Sequence, residues 1–292
     1  MGAARLRLKP APRPKLISPS DAIAYGRGMK FAALSLFLAL TPPALAMTQD
    51  EVLTATLLPG WRMENGHQMA ALSLTLAPGW KTYWRSPGEA GIPPLFDWSG
   101  SNNIASVRLH WPSPSVFHTN GMQTVGYHDR LVLPVEITPI DPARPITVRL
   151  QVDLGVCSDI CMPAALSLAG ELPAKGTPDA AIRAALGERP RSGREAGLRD
   201  IDCRIEPIRD GLRLTADIDL PQRGHDEVVV FESAGSRVWV SEAVTERQGG
   251  RLVSTADLVG PGGAPFALDR KGVTVTVLGD GPAVEIAGCP AP

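Results

Sequence analysis

The sequence has 292 residues, with 29 Lys and Arg against 30 Asp and Glu and a formal net charge of -1. That balance leaves no basic surplus for a nucleic-acid backbone and no acidic surplus for a solvating tail. Apolar residues make up 44% of the chain, enough for hydrophobic cores, while 29 glycines and 28 prolines work against long helices.

Residues 1–28 are rich in Arg, Lys and Pro and fit no targeting pattern, so they read as an upstream segment outside the folded protein. From Met29 the stretch "MKFAALSLFLALTPPALAMTQDE" has Lys30, an apolar run from Phe31 to Leu40, the helix breakers Pro42 and Pro43, and then Ala44-Leu45-Ala46. A charged head, a short apolar run and a small-x-small site describe a secretory signal peptide over 29–46. A membrane span needs about 20 apolar residues, so this run is too short for a stable anchor. The alternative is an uncleaved anchor. The expectation is an exported protein maturing near Met47, and the bacterial periplasm fits because disulfides persist there.

The chain after that alternates in short runs. "ALSLTLAPG" (71–79), "ASVRLHW" (105–111), "LVLPVEI" (131–137) and "ITVRLQVDL" (146–154) read as strands bounded by turn residues. Then "TPDAAIRAALG" predicts a short helix, with Thr177 as N-cap, Pro178 at the first helical position and a stop at Gly187. The strand texture returns in "GLRLTADIDL" (211–220), "EVVVFES" (227–233), "RVWVS" (237–241), "RLVSTADL" (251–258) and "GVTVTVLG" (272–279). This predicts an all-β protein of two immunoglobulin-like β-sandwich domains, 47–172 and 201–292, joined by a linker over 173–200 that carries the short helix.

The chemistry lies in "GVCSDICMPA", where Cys157 and Cys161 flank Ser158, Asp159 and Ile160. One strand runs into Cys157 and another leaves Cys161, so the motif predicts a tight hairpin with the cysteines opposed. Opposed antiparallel residues lie about 4.5 to 5.5 Å apart at Cα, within disulfide reach. Pro163 lacks an N–H, which places the outgoing strand at a sheet edge. A bridge across so short a loop stabilises by only about 2 kcal/mol, whereas Cys203–Cys289 would close most of the second domain and contribute about 4.5 kcal/mol. The pairing 157–161 with 203–289 gives each domain its own bridge.

Three readings of Cys157 and Cys161 remain open on spacing alone. One is a static local disulfide. Another is a metal site: Met162, His118 and His128 share the domain and soft ligands suit Cu(I), while a zinc site would need all four cysteines to meet across domains. The third is a working redox couple.

The flanks carry a resemblance. "GWKTYWRSPGEAGIPPLFDWSGSNNI" (79–104), "WPSP" (111–114), "GYHDRLVLPVEI" (126–137) and "VDLGVCSDICMPAALSL" (152–168) occur in this order. They resemble the N-terminal periplasmic domain of the DsbD and ScsB thiol:disulfide interchange proteins, with the ScsB-like branch the nearer match. "IDCRIEPIRDGLRL" (201–214) is similar to the continuation in ScsB-like N-terminal regions. The resemblance implies an immunoglobulin-like sandwich whose cysteine pair passes electrons to thioredoxin-fold periplasmic oxidoreductases. It implies that Cys161 attacks the partner and Cys157 resolves, with no cofactor and no metal. It also implies a link to copper tolerance and cytochrome c maturation. The sequence contains neither the membrane domain nor the thioredoxin-like domain of the full-length proteins, so the reductant is expected from a separate membrane electron transporter. The spacing of the two cysteines is shorter than in the best-known member, and the aromatic cap loop of that protein is replaced by "VFHTNGMQTVG" (116–126). Phe117, His118 and Tyr127 are the candidate cap or docking residues, the alternative being an ordinary surface loop. The motif itself holds no Lys, Arg or His, and Asp159 and its apolar neighbours disfavour a thiolate, so both thiols are expected to titrate at or above about 8.5.

Overall fold

The computed structural model describes residues 48–119, 121–234 and 238–292. The expected signal peptide (29–46) and the segment before it lie outside the described residues. Ala46–Pro292 form one compact unit.

A single helical turn, α1 (Gln49–Val52), opens the described chain. Ten strands follow: β1 (Leu53–Arg62), β2 (Gln68–Leu76), β3 (Lys81–Tyr83), β4 (Leu95–Asp97), β5 (Ser106–Leu109), β6 (Ser115–Thr119), β7 (Met122–His128), β8 (Arg130–Thr138), β9 (Ile146–Cys157) and β10 (Cys161–Leu172). They make one sheet in the order β1-β2-β8-β5 and a second in the order β10-β9-β3-β7-β6, with β4 beside β9. The two sheets face each other over one core. Leu72, Leu74, Leu131 and Leu133 come from the first, and Trp84, Val125, Val148, Leu150 and Val152 from the second. Two antiparallel sheets over one core make an immunoglobulin-like sandwich.

After helix α2 (Ala180–Gly187) come β11 (Arg191–Ser192), β12 (Asp200–Ile208), β13 (Gly211–Asp219), β14 (Val228–Ser233), β15 (Trp239–Val240), β16 (Val244–Gln248), β17 (Arg251–Val259), β18 (Val273–Leu278) and β19 (Val284–Ala287). They form sheets β11-β19-β18-β14 and β12-β13-β17-β15, with β16 pairing β17. Leu214, Ile218, Leu252 and Leu258 pack against Phe231, Val273, Val275 and Val277 in a second core. The all-β, immunoglobulin-like expectation thus describes the chain.

One local expectation changes. The N-cap of α2 is Asp179, not Thr177: its carboxylate accepts from the N–H groups of Ala181 and Ile182 at 2.8 and 3.1 Å. Asp179 itself has the extended backbone of an N-cap (φ -83°, ψ 134°), so Thr177 and Pro178 lie ahead of the helix. Within the expected linker, 173–200, two pieces make contacts outside it. Ile182 of α2 packs on Met69 and Ala71 of β2, and β11 runs parallel to β19.

The two halves touch directly. Leu278 and Ala283 join the first core. Arg85, just beyond β3, donates from Nε and Nη2 to Glu232 of β14 at 2.9 and 2.8 Å and from Nη2 to Glu285 of β19 at 2.7 Å.

Candidate functional site

Cys157 ends β9 and Cys161 starts β10, paired across the hairpin with their Cα atoms 4.1 Å apart and joined as a disulfide. That separation belongs to the closer, non-hydrogen-bonded class of antiparallel pair. Cys203 and Cys289 form the second disulfide, with Cα atoms 5.4 Å apart and both side chains buried. Both cysteines belong to the second core, and Arg270 Nη1 donates to their carbonyls at 2.8 and 3.2 Å.

The two sulfurs of the first pair are unequal. Cys157 is 1% exposed, whereas Cys161 is exposed, next to Ile160 at 73% exposure. The inequality follows from sheet position. β9 is interior and β10 is the edge, so Cys157 is flanked on both sides and Cys161 on one. Pro163 sits on that edge strand, opposite Gly155. Two residues further, the Gln49 side chain meets the outer edge at Ala165, donating to its carbonyl and accepting from its N–H, both at 3.0 Å. By the two-residue strand period Cys161 presents its own peptide groups toward the same edge, beyond the reach of that brace.

Burial along β9 alternates until Asp153 and is then continuous over Leu154–Cys157, so a second layer covers the end of the strand. Tyr83 forms that layer. Its hydroxyl lies 2.7 Å from Cys157 Sγ and 3.4 Å from Cys161 Sγ. A disulfide sulfur carries no proton, so the hydroxyl is the donor. Burial pushes the Tyr83 phenol above its ordinary range, which keeps that proton in place. Gly155 makes room for the ring: a Cβ there would meet Tyr83 Cε2 at 3.0 Å and Ile92 Cβ at 2.8 Å.

Strand parity sorts the remaining candidates. Lys81 pairs with Cys157 on one side and His128 on the other, so Lys81, Tyr83, Cys157 and His128 stand on one face. Phe117 pairs with Thr124 on this face and packs edge-on against the His128 ring at 4.3 Å. His118, its neighbour, is exposed and turns to the opposite face. Tyr127, a candidate for docking, is instead a core residue: it is 7% exposed, stacks on Trp111 and donates its hydroxyl to the Pro112 carbonyl at 2.8 Å. The tyrosine at the sulfurs is Tyr83, which the sequence does not single out. Met162 also packs toward the core, away from Cys161, so the donor set Met162, His118 and His128 is not gathered. Among the described residues no group of three or more His, Cys, Asp or Glu is placed to hold a metal ion.

Lys81 is the other residue the sequence reading passed over. It is 6% exposed, and its Nζ donates to Thr119 Oγ1 and Thr124 Oγ1, each at 3.3 Å, and lies 5.1 Å from the centre of the Phe117 ring. Burial lowers its pKa.

Residues 54–170 match the family model of the thiol:disulfide interchange protein DsbD, N-terminal. The fold is similar to the crystal structure of the N-terminal periplasmic domain of ScsB from Proteus mirabilis, with a TM-score of 0.63 and 24% identity over 85% of this chain and 96% of that one. That likeness is one of fold, and it extends past the family match into the second half. No curated protein matches the chain.

Proposed function

Residues 54–170 are an N-terminal domain of the DsbD thiol:disulfide interchange family, and from that premise we propose that this chain is a periplasmic electron relay that reduces disulfides of thioredoxin-fold oxidoreductases through Cys157 and Cys161. One observation carries the reading. The pair has a sheltered sulfur held by a donor, Tyr83, and an accessible sulfur at an open sheet edge. A purely structural bridge needs no such difference.

The exchange proceeds by attack of a thiolate on a sulfur–sulfur bond. In the reduced protein the Cys161 thiolate attacks one sulfur of the partner's disulfide. The Cys161–partner bond forms, the partner's bond breaks, and its second sulfur leaves as a thiolate. Cys157, having given up its proton, then attacks Cys161 Sγ, which restores the 157–161 bond and releases the partner's first sulfur. Two electrons pass from the cysteine pair to the partner. Recharging runs in reverse. A donor thiolate attacks Cys161 and Cys157 leaves, with the Tyr83 hydroxyl donating to the departing sulfur. In this scheme the donor is a separate membrane electron transporter, and residues 29–46 direct export.

The test is the equilibrium potential of the 157–161 pair in defined thiol buffers, together with exchange against a thioredoxin-fold oxidoreductase. A relay couple is expected between about -180 and -270 mV, with exchange in stoichiometric amounts. A potential below about -300 mV with no exchange would identify a static bridge and overturn the proposal.

A further inference from the structure

By whole-residue exposure Lys81 is the only buried Lys, Arg, Asp or Glu among the described residues; the Glu227 side chain is as sheltered but is paired with Arg247. Buried ions are costly unless paired. Here two threonine hydroxyls and an aromatic face solvate the ammonium, and no carboxylate balances it. What the position does have is Cys157. The two residues are register partners on adjacent interior strands, with side chains on the same face. Paired residues of this kind have Cα atoms about 4.5 to 5.5 Å apart; in the oxidised protein the ammonium lies on the β7–β6 side of β3, at Thr119, Thr124 and Phe117, and the flexible four-carbon stem lets it swing to the β9 side.

The disulfide holds no charge. Opening it by attack at the exposed Cys161 places a negative charge on Cys157, in a buried site where an isolated anion would be as costly as the isolated cation. We propose that Lys81 is the counter-charge for the Cys157 thiolate, so that the oxidised protein keeps a buried cation in reserve and the reduced protein pairs it. This rests on the pair being the relay couple proposed above. The balance is simple. The attacking thiolate forms its bond to Cys161 Sγ, the electron pair of the 157–161 bond goes to Cys157 Sγ, and the new anion is met by the ammonium and the Tyr83 hydroxyl. The better stabilised the leaving thiolate, the faster the bond opens.

The other ionisable groups around Cys157 are Tyr83 on β3, His128 on β7, Cys161 on β10, Asp159 in the turn and Asp153 further along β9. β6 contributes Phe117 and Thr119 to this face and no ionisable group. Asp159 is exposed and opposes a thiolate, and β9 carries a cation, Arg149, only eight residues further back along the strand, so at the register of Cys157 the lysine is the fixed cation. The expectation of two thiols at or above the free value considered only residues local in sequence. Lys81 comes to Cys157 from 76 positions away through strand pairing, and the proposal replaces that expectation for Cys157 with a lowered value.

The test uses the full chain carrying Cys161→Ala, which leaves Cys157 as the titrating thiol of the pair, with and without Lys81→Met. Thiolate absorbance followed against pH is expected to give a Cys157 midpoint below about 8.5, rising by about one pH unit in Lys81→Met. Lys81→Arg should hold the lower midpoint, because it keeps the charge. In the otherwise intact protein, Lys81→Met should slow opening of the 157–161 disulfide by dithiothreitol several-fold. Lys81→Gln, which keeps a polar head for the two threonines, serves if the methionine variant fails to fold. An unchanged midpoint and an unchanged rate overturn the proposal. The titration reads Lys81 whether or not the pair is a relay, and the equilibrium potential reads the relay whether or not Lys81 acts.

Discussion

The Tyr83 hydroxyl lies 2.7 Å from Cys157 Sγ and 3.4 Å from Cys161 Sγ, so one buried side chain spans both sulfurs of the hairpin disulfide. Its ring also forms part of the cover over the end of β9, so hydroxyl and ring have separable roles. Tyr83→Phe keeps the ring and removes the donor. It should cost about 1 kcal/mol of stability, the net worth of one hydrogen bond, and should slow reduction of the 157–161 bond several-fold. Tyr83→Ala should instead expose Cys157 and destabilise by about 3 to 5 kcal/mol, as large-to-small core changes do. Denaturant midpoints and thiol-reduction rates measured on both variants check this. Equal reduction rates for wild type and Tyr83→Phe would leave the hydroxyl without a role in the chemistry.

The difference in exposure between the cysteines sets a direction for trapping. Cys161 is exposed on the edge strand and Cys157 is buried beside it. Cys157→Ala is expected to accumulate a mixed disulfide with a thioredoxin-fold oxidoreductase through Cys161, because nothing remains to resolve it. Cys161→Ala should accumulate little. Non-reducing electrophoresis and peptide mapping read the outcome, and the opposite pattern would reverse the two roles.

What the sequence revealed about this site, and what it hid, divides by range. The hairpin is local. Alternation into Cys157, a short turn and Pro163 after it are enough to oppose the cysteines and place β10 at an edge. Which side chains cover the sulfurs depends on strands far away in the chain. Lys81 and Tyr83 share a face by simple alternation, and "WKTYW" shows that much. That this face meets Cys157 requires β3 to lie beside β9, which no local pattern states. The same gap explains Tyr127, whose parity on β7 turns it to the core. At α2 the difference is local competition: Thr177 and Asp179 are both good N-cap types, and it is the Asp179 carboxylate that meets the free N–H groups of Ala181 and Ile182. The β10 edge brace from Gln49 was also invisible, since it joins positions 116 apart.

The second disulfide should behave oppositely to the first. Cys203 and Cys289 are both buried and 86 positions apart. The chain-entropy model gives about 4.5 kcal/mol for a loop of that length. Replacing both by Ala should lower stability by an amount of that order, while leaving reduction of the 157–161 pair unchanged. Graded dithiothreitol should open 157–161 first. Mass mapping of alkylated cysteines distinguishes the order, and prior opening of 203–289 would contradict it.

Arg85 ties the two halves together. It is 28% exposed at the side chain, reaches Glu232 and Glu285, and lies 4.5 Å over the Trp84 ring. Burial works against its charge, but hydrogen bonds and charge from Glu232 and then Glu285 outweigh it and raise its pKa. Arg85→Ala leaves two carboxylates facing a gap and should cost about 2 kcal/mol, the scale of hydrogen bonds to charged groups. Because Leu278 and Ala283 still belong to the first core, both halves should remain folded. The expected signature is a broader or split unfolding transition in urea. A single transition of unchanged steepness and midpoint would show that the apolar contacts suffice.

Glu136 gives the fold a dependence on acid pH. Its carboxylate accepts from His67 Nδ1 at 2.7 Å and His110 Nε2 at 2.8 Å, joining the turn before β2 and the residue after β5 to β8. The hydrogen bond from His67 is the main cause that holds the Glu136 carboxyl below its ordinary value; burial opposes it, and His110 adds to the lowering. A carboxylate whose pKa is depressed by folding contributes stability that is fully present above its unfolded value, 4.5, and is lost as pH falls through the lower folded value. Glu136→Gln removes that dependence and still leaves an amide oxygen to accept. At neutral pH the variant should be less stable by about 1 to 3 kcal/mol, as expected for losing charge-assisted hydrogen bonds. On the acid side of 4.5 the wild-type protein gives up the contribution and the variant has none to lose. The gap between their urea midpoints should therefore narrow steadily as pH drops through that window. A gap that stays constant from neutral to acid pH would mean the ionised carboxylate is not what the two histidines stabilise.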